Sequence, residues 1–406
     1  MIEVLDASGG YASACLGAGS EVVVSAVTRA IEEAGYVTDE VASAERSGML
    51  ERLFGDGGLW ADAFPADEYH VSGRNSGSEG MELALRLVLE SRFDRRRLRP
   101  LPGRENRDVI VAFEGAWHGW TGGLLPLLNR RHYRVGLPTV TSAPYGLRVE
   151  HIPFGDPEAA RSAFERIGDR LLAVVMEPVQ GDAGILTPPR GYLRELAEQC
   201  RQRGGLLVAD EVLTFAKTGT FFAAADEQGP VPTDVTVIGK SLGMGVISTS
   251  LVIARRELGI RSSGAVATSD LRPITCAVIR QGVDHIVAEG LLDRSRAVGV
   301  RLAELLDRQL VQEFPEVYLQ ARGVGSLHGV ELTERASGQV RRFRECMVRS
   351  GVFVEFMAGA GRRSNDLPYV FPTMRVAPPL IATEADIEAI VTRLVDGSRT
   401  FLKELS

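Results

Sequence analysis

Two apolar stretches, "LLAVVMEP" (residues 171–178) and "GGLLVADEV" (residues 204–212), decide the fold class. Neither alternates polar with apolar residues, which is typical of strands buried on both faces of a parallel sheet. Between them, "PRGYLRELAEQCRQRGG" places Leu193, Leu196 and Cys200 at helical spacing and ends in two glycines that can stop a helix. Strand, helix and strand in this order predict a βαβ unit.

Two further stretches share this apolar character, "RDVIVAF" (residues 107–113) and "DVTVIGK" (residues 234–240). The sequence therefore predicts an α/β domain with a parallel sheet covered by helices. Ligands of such sheets bind at the carboxyl ends of the strands. Glu177, Asp210 and Lys240 lie at these ends, so we expect them to converge.

The C-terminal third has a different character. Two amphipathic segments, "AELLDRQLVQEF" and "TEADIEAIVTRLVDGSRTFLKEL", lie on either side of a shorter strand pattern, "GVGSLHGVEL". This arrangement predicts a separate, smaller α+β domain.

Composition excludes several classes of protein. The chain has 406 residues, which favours two domains, and its net charge of −7 argues against nucleic acid as a partner. The four cysteines form no CxxC pair and the six histidines lack metal-ligand spacing, so we expect reduced thiols, no metal and a cytoplasmic location. No signal peptide is expected at the start, and no apolar run approaches the ~20 residues that a membrane span needs.

The stretch "VIGKSLGMG" (residues 237–245) allows two interpretations. A phosphate-binding loop of the form GxxxxGK[ST] needs its first glycine at position 234, which is Asp234. A carboxylate there would repel phosphate, and the residues that follow belong to a strand. The phosphate-loop interpretation therefore fails on spacing.

The second interpretation is a lysine that binds an aldehyde cofactor covalently. Apolar surroundings lower the pKa of a strand-end lysine and favour an imine with pyridoxal 5'-phosphate (PLP). PLP also needs a carboxylate for its pyridine nitrogen, an aromatic face and a phosphate cradle. Asp210, the pair Trp117 and His118, and the helix start Ser76-Gly77-Ser78 are candidates for these three roles.

Each candidate alone has an ordinary structural explanation. "SGSEG" is also a helix capping box, Asp210 a turn residue, His118 a loop histidine and Trp117 a core residue. Their joint occurrence, in this order along the chain, favours a PLP site.

The segments together resemble the class III aminotransferases, a PLP-dependent family of the aspartate aminotransferase superfamily. "NSGSEGMELAL" is similar to the family's SGxEAxExAL phosphate motif, and "EGAWHGWTGG" to its aromatic-His-Gly motif. The remaining similar segments are "LDASGGYASACLGAGSEVVVSAV", "VVMEPVQGDAGILTPPRGYL", "LLVADEV", "DVTVIGKSLGMG", "ATSDLRPITCA" and "MRVAPPLIATEADIE".

The resemblance implies the PLP-dependent transferase fold type I, with a large domain built on a mostly parallel seven-stranded sheet. We expect this PLP-binding domain at residues 49–275 and the small domain at residues 276–406, joined by the N-terminal segment 1–48. It also implies a homodimer with shared active sites.

The resemblance assigns the cofactor contacts as follows. Lys240 would form the internal aldimine and move a proton at the substrate, and Asp210 would keep the pyridine nitrogen protonated. Val212 and Trp117 would cover the two ring faces. The remaining expected cofactor contacts are Ser76, Gly77 and Ser78 at the phosphate, His118 and Glu177 beside the ring, and Thr268, which would reach the phosphate of the neighbouring subunit.

Two arginines are candidate substrate ligands. Arg375 matches an arginine that grips a substrate carboxylate in some members, and a purely structural role is an equally open alternative. Arg272 replaces the family's asparagine beside Pro273, which would place a cation near the dimer interface.

Departures from the family pattern point to a specialised enzyme. Leu213 replaces a glutamine that contacts the cofactor in many members, which is more like the glutamate semialdehyde aminomutase branch. We expect an aminotransferase that acts on an amino acid or amine donor and a carbonyl acceptor, in specialised biosynthesis. The alternatives are an aminomutase, or a lyase or carbon–carbon bond-forming enzyme that acts through a quinonoid. A catalytically silent protein is disfavoured, because it would need neither Lys240 nor Asp210.

Overall fold

The chain is organised around two separate sheets. The computed structural model describes residues 3–33, 37–38, 41–94, 97, 99–129, 147–258, 268–357 and 372–405. The strands are β1 (Leu5–Asp6), β2 (Tyr69–Arg74), β3 (Phe93–Asp94), β4 (Arg99–Pro100), β5 (Val109–Phe113), β6 (Arg148–Ile152), β7 (Leu171–Met176), β8 (Leu206–Glu211), β9 (Ala225–Asp226), β10 (Gly229–Pro230), β11 (Val235–Ile238), β12 (Ser250–Arg255), β13 (Tyr318–Val324), β14 (Leu327–Leu332), β15 (Val352–Phe353), β16 (Glu355–Met357) and β17 (Thr373–Val376). The helices are α1 (Gly9–Ala12), α2 (Glu21–Glu33), α3 (Ala44–Phe54), α4 (Gly77–Glu90), α5 (Pro157–Ile167), α6 (Tyr192–Gln202), α7 (Pro273–Ala288), α8 (Leu291–Leu306), α9 (Glu334–Ser337), α10 (Val340–Arg349) and α11 (Glu384–Leu405).

The larger sheet has seven strands in the order β2-β12-β11-β8-β7-β5-β6. The five strands from β11 to β6 are parallel to one another, whereas β12 is antiparallel to both of its neighbours. The predicted βαβ unit is present as β7, α6 and β8, and Leu193, Leu196 and Cys200 are all buried on α6. The predicted α/β fold class is therefore confirmed.

Both faces of this sheet carry apolar side chains, which explains why its strands do not alternate. In β5, Val109 and Val111 belong to the core under α5 and α6, whereas Ile110 and Ala112 belong to the core under α4. Successive residues of a strand point to opposite faces, so a strand covered on both sides needs apolar residues throughout.

The smaller sheet is antiparallel, with the order β13-β14-β17-β16. Helices α8, α10 and α11 cover it, and Phe343 of α10 stacks on Phe401 of α11 with ring centroids 4.1 Å apart. The pattern "GVGSLHGVEL" forms the end of β13, a turn and β14, where a single strand was expected. Gly325 makes the turn possible because its φ of 57° lies in the left-handed region.

The N-terminal segment contacts both parts of the chain. Strand β1 pairs in parallel with β15, and helix α2 packs against α7 together with α3. Helix α7 spans the predicted boundary at residues 275/276. The domain boundaries remain a prediction. Within the described ranges, no helix combines the length and the apolar character that crossing a membrane requires.

Candidate active site

A cleft of about 1020 Å³ lies at the carboxyl ends of the parallel strands. Ten of the twelve predicted site residues line it: Ser76, Gly77, Ser78, Trp117, His118, Glu177, Asp210, Val212, Lys240 and Arg375. They come from six separate segments of sequence, which the fold brings together at this edge of the sheet.

Lys240 is separated from the end of β11 by Gly239 and begins a short 3-10 turn, Lys240–Gly243. Its φ is 43°, a left-handed backbone conformation that is strained for a residue with a side chain and that occurs mainly at functional sites. The pKa of the Lys240 amine is lowered to about 8, first by burial and then by the positive charge of Arg375, against the opposing charges of Glu177 and Asp210. About a tenth of this amine is therefore an unprotonated nucleophile at pH 7, far more than for a lysine with its ordinary pKa.

The chain contains three lysines, Lys217, Lys240 and Lys403. Lys217 is completely buried, donates to the carbonyl of Pro378 at 3.3 Å and also has a pKa lowered by burial to about 8. It does not line the cleft. Of the three lysines, Lys240 is the one whose amine faces the cleft.

Asp210 and His118 form a buried pair in the floor of the cleft. Asp210 is the penultimate residue of β8 and is 4% exposed, and its Oδ2 lies 2.8 Å from Nδ1 of His118. Its other oxygen accepts from the backbone N–H of Val212 at 3.1 Å. Burial alone would lower the pKa of His118, but the hydrogen bond and charge of Asp210 outweigh it and raise that pKa. His118 therefore acts as a donor that compensates the buried carboxylate.

Glu177 connects two loops of the cleft by hydrogen bonds. Its two oxygens accept from the backbone N–H groups of Trp117, at 2.9 Å, and Gly181, at 3.1 Å. Burial raises the pKa of Glu177 to about 7, although the charge of His118 opposes the rise. This carboxyl group can therefore hold or release a proton near neutral pH.

The helix start at Ser76 is both a capping box and a candidate phosphate cradle. The Ser76 hydroxyl accepts from the N–H of Glu79 at 3.2 Å, and the Glu79 carboxylate accepts from the N–H of Asn75 at 3.0 Å. Because the box uses the Ser76 hydroxyl, the first N–H groups of α4, those of Gly77 and Ser78, are the donors that face the cleft.

Two glycines keep this cradle open. A Cβ at Gly77 would lie 2.6 Å from Cγ1 of Val212, and a Cβ at Gly119 would lie 2.4 Å from Oγ of Ser78. At these distances no side chain could be accommodated at either position. The helix start, Val212 and the loop of Trp117 can therefore lie this close only with glycine at both positions.

Leu213 is a buried apolar residue of the cleft wall. It packs in a cluster with Val179, Ile185 and Met357, and it is 6% exposed. A Cβ at Gly181 would lie only 2.0 Å from its Cδ2. Leu213 therefore fills the cleft wall without offering a hydrogen bond to a ligand.

Arg375 lies at the other end of the cleft on β17. It is 5% exposed and forms an ion pair with Glu355, which lies directly opposite on β16 and is equally buried. Its Cζ lies 5.9 Å from the ring centroid of Tyr11, an exposed residue of the left-handed turn α1. Arg375 faces the cleft as predicted, but its guanidinium already has a carboxylate partner.

Thr268 and Arg272 do not line the cleft of their own chain. Thr268 is exposed, and Arg272 precedes the first turn of α7. Between them, buried Asp270 accepts from Arg74 at 2.5 Å and from Asn75 at 3.4 Å. The segment is therefore held against the residues that lead into α4.

Sequence reasoning missed several cleft residues, among them Tyr11, Asp182, Arg344 and Glu355. Glu355 could have been found, since it is the one acidic residue in the apolar run "GVFVEFM", where a buried charge needs a partner. The sequence offers no comparable signal for Arg344, which lies on a helix with polar residues on its outer face.

These residues fit PLP. A cleft-facing amine of lowered pKa, a buried carboxylate for the ring nitrogen and two helix N–H groups for the phosphate are the donor and acceptor set that this cofactor needs. The close packing at Gly77 brings the helix start and Val212 within reach of one ligand.

Comparisons with known proteins agree with this geometry. The family Aminotransferase class-III matches residues 2–397. The ornithine aminotransferase of Toxoplasma gondii ME49 is 23% identical, with 99% of this chain and 87% of that chain covered and a TM-score of 0.82. A second structure of the Toxoplasma enzyme has PLP at partial occupancy in its active site.

Two other solved structures have the same fold. A thermostable (S)-enantioselective omega-transaminase from Thermomicrobium roseum is 23% identical, with 99% and 89% coverage and a TM-score of 0.81. The acetylornithine aminotransferase of Elizabethkingia anophelis is 21% identical, with 98% and 90% coverage and a TM-score of 0.77. At these identities the structures establish a common fold.

The Asp210–His118 pair can be tested by titration. We expect Asp210→Asn to lower the pKa of His118, because the substitution removes the hydrogen-bonded charge that opposes the effect of burial. The measurement is an NMR titration of the histidine ring protons. Glu211→Gln is the matched control, since Glu211 is also buried in β8 but bonds to Thr214 and to backbone N–H groups. An unchanged His118 pKa in Asp210→Asn would contradict the pairing.

Proposed function

The chain belongs to the class-III aminotransferase family, and we propose that it performs PLP-dependent transamination in specialised biosynthesis with Lys240 as the covalent anchor. The donor would be an amino acid or amine and the acceptor a carbonyl compound. The observation that carries the proposal is the joint presence, in one cleft, of the Lys240 amine with its lowered pKa and the buried Asp210–His118 pair.

When bound, PLP supplies an aldehyde and an electron-withdrawing ring that stabilises negative charge on the carbon beside the substrate nitrogen. Lys240 would hold the cofactor through its Nζ and, once substrate displaces it, would move a proton at the substrate carbon. Asp210 would bind the ring nitrogen, with His118 fixing the orientation of the carboxylate.

The remaining residues would position the cofactor. Val212 and Trp117 would lie on the two faces of the ring, and Gly77 and Ser78 would bind the phosphate at the positive end of the α4 dipole. Glu177, whose pKa is about 7, would hold a proton beside the ring.

The cleft is large enough to hold PLP and a substrate together. Its volume of about 1020 Å³ is at the upper end of the ~300–1,000 Å³ that is usual for ligand pockets. Leu213 adds apolar surface to the cleft wall, at a position where many family members have a polar residue. Room beside the cofactor and an apolar wall suit a specialised biosynthetic substrate.

We also propose a homodimer in which Thr268 and Arg272 serve the partner's site. Thr268 is exposed and lies outside the cleft of its own chain, which suits a contact across an interface. The four cysteines are buried and free, which suits the reducing conditions of the cytoplasm.

The transamination proposal is tested by single-turnover conversion. Amino donors added without acceptor should convert bound PLP to pyridoxamine phosphate, up to one equivalent per chain, as measured by chromatography of the released cofactor. Lys240→Ala should slow the conversion by at least about 10³-fold, as expected when a proton-transfer group is lost. The exposed Lys403→Ala variant is the control and should behave like the native protein.

Two outcomes would count against transamination. If no donor produces pyridoxamine phosphate, the reaction class is wrong. If donors change the absorption of the bound cofactor but never yield pyridoxamine phosphate, the lyase or carbon–carbon bond-forming alternative is favoured. An isomerised product would favour the aminomutase.

The shared-site proposal predicts complementation between subunits. Thr268→Ala alone should weaken PLP binding by about tenfold, a typical cost for one charge-assisted hydrogen bond. A hybrid of Thr268→Ala and Lys240→Ala subunits should regain native PLP affinity at the one site that combines an intact Lys240 with the partner's Thr268. Equal PLP affinity in the hybrid and in the Thr268→Ala homodimer would contradict the proposal.

A further inference from the structure

The loop that follows β5, residues 114–123, brings two aromatic side chains to the cleft, those of Trp117 and Trp120. We call it the aromatic loop. Its first half is held at Trp117 and His118 by carboxylates that lie at the ends of two strands of the larger sheet. Its second half contains two consecutive glycines, which allow a wide range of backbone conformations. This half therefore needs an attachment of its own to keep one conformation.

Glu82, on the second turn of α4, supplies that attachment. Its Oε1 accepts from the hydroxyl of Thr121 at 2.5 Å and from the backbone N–H of Gly123 at 3.1 Å. Gly123 lies so close that a Cβ at its position would be 2.5 Å from Oε2 of Glu82. Hydrogen bonds to a carboxylate are roughly twice as strong as bonds between neutral groups. Glu82 does not line the cleft, so it can act on a ligand only through the aromatic loop.

The same face of α4 contacts the aromatic loop one turn earlier. Ser78 and Glu82 are four residues apart, which places them on one face of the helix. Gly119, whose φ is 96°, packs against Ser78 so closely that a Cβ there would lie 2.4 Å from the Ser78 hydroxyl oxygen. Directly after the loop, Leu124 is completely buried in the core beneath α4. The aromatic loop is therefore docked on the helix whose first N–H groups face the cleft.

We infer that Glu82 is a positioning residue, which holds the Trp117 ring at the face of the cofactor by docking the aromatic loop on α4. This inference rests on the proposed function only for the placement of PLP between Trp117 and Val212, and it is independent of the reaction that follows. Without Glu82, Thr121 and Gly123 lose their common acceptor. The glycines then leave the loop free to shift, and the ring of Trp117 loses its fixed position.

The first test measures PLP binding to a variant that lacks the carboxylate. In Glu82→Ala, PLP should bind at least about tenfold more weakly than in the native protein, as determined by equilibrium dialysis. Glu90→Ala is the matched control, since Glu90 lies on the same helix, pairs with Arg86 at 2.7 Å and does not line the cleft. A loss below tenfold, or an equal loss in the control, would overturn the inference.

The second test separates position from affinity by working at saturating PLP. Bound PLP absorbs where tryptophan emits, so it quenches a tryptophan ring in contact with it. At saturation, Glu82→Ala should show weaker quenching of tryptophan fluorescence and a smaller circular dichroism band of the bound cofactor than the native protein. A purely structural role would lower the thermal unfolding midpoint and leave both signals at their native values, and this result would contradict positioning.

The third test removes the bond from the side of the loop. Thr121→Val, which is nearly isosteric, should weaken PLP binding, whereas Thr121→Ser keeps the hydroxyl and should bind PLP like the native protein. The double variant with Glu82→Ala should bind PLP no more weakly than Glu82→Ala alone, because both changes break the same bond. Additive losses, or native affinity in Thr121→Val, would count against the inference. If Glu82→Ala does not fold, the two single variants of Thr121 still decide.

The fourth test compares PLP with pyridoxal, which lacks the phosphate. A displaced Trp117 weakens both ligands alike, so the ratio of their Kd values in Glu82→Ala should stay within about threefold of the native ratio. A larger change would show that the variant damages the phosphate cradle at the start of α4, and would overturn the inference. Cofactor binding requires no turnover, so a protein that fails as a transaminase still answers all four tests.

Discussion

The hydrogen bond between His118 and Asp210 is the interaction on which the rest of the candidate site depends. A carboxylate with 4% exposure at the end of a fully buried strand needs a compensating charge, and the histidine supplies it at 2.8 Å. His118 lies in the loop that follows β5. In the same loop, the backbone N–H of the neighbouring residue Trp117 donates to Glu177. Two hydrogen bonds on adjacent residues, Trp117 and His118, therefore connect cleft-lining groups that follow three strands.

A second constraint is backbone strain around Lys240. Tyr11, Ala12, Lys240 and Met244 all have positive φ values, and the hydroxyl of Ser241 donates to the carbonyl of Ala12 at 3.1 Å. The Asp6 carboxylate holds the left-handed turn α1 by accepting from three backbone N–H groups, those of Ser8, Gly9 and Gly10. The N-terminal turn α1 thus contacts the 3-10 turn that begins at Lys240. These contacts maintain backbone conformations that neither segment would adopt alone.

Local pattern and the family resemblance were sufficient to predict the fold class and most of the residues that meet in the cleft. Buried parallel strands have a distinctive composition, and their carboxyl ends meet at one edge, so Glu177, Asp210 and Lys240 could be placed together before any coordinates. Glu355 could not be assigned to Arg375, because that pairing depends on the register of β16 and β17, which sequence periodicity does not determine. The same limit applies to Tyr11, whose position over Arg375 depends on a left-handed turn far away in sequence.

The most direct test of the central claim is to locate the covalent bond between PLP and the protein. The chain has three lysines, and two of them, the buried Lys217 and the partly buried Lys240, have a pKa of about 8, so amine reactivity alone does not distinguish them. Borohydride reduction of the PLP-loaded protein, followed by peptide mapping by mass spectrometry, should place the pyridoxyl group on Lys240 alone. Labelling at Lys217 or Lys403, or no labelling at all, would contradict the account.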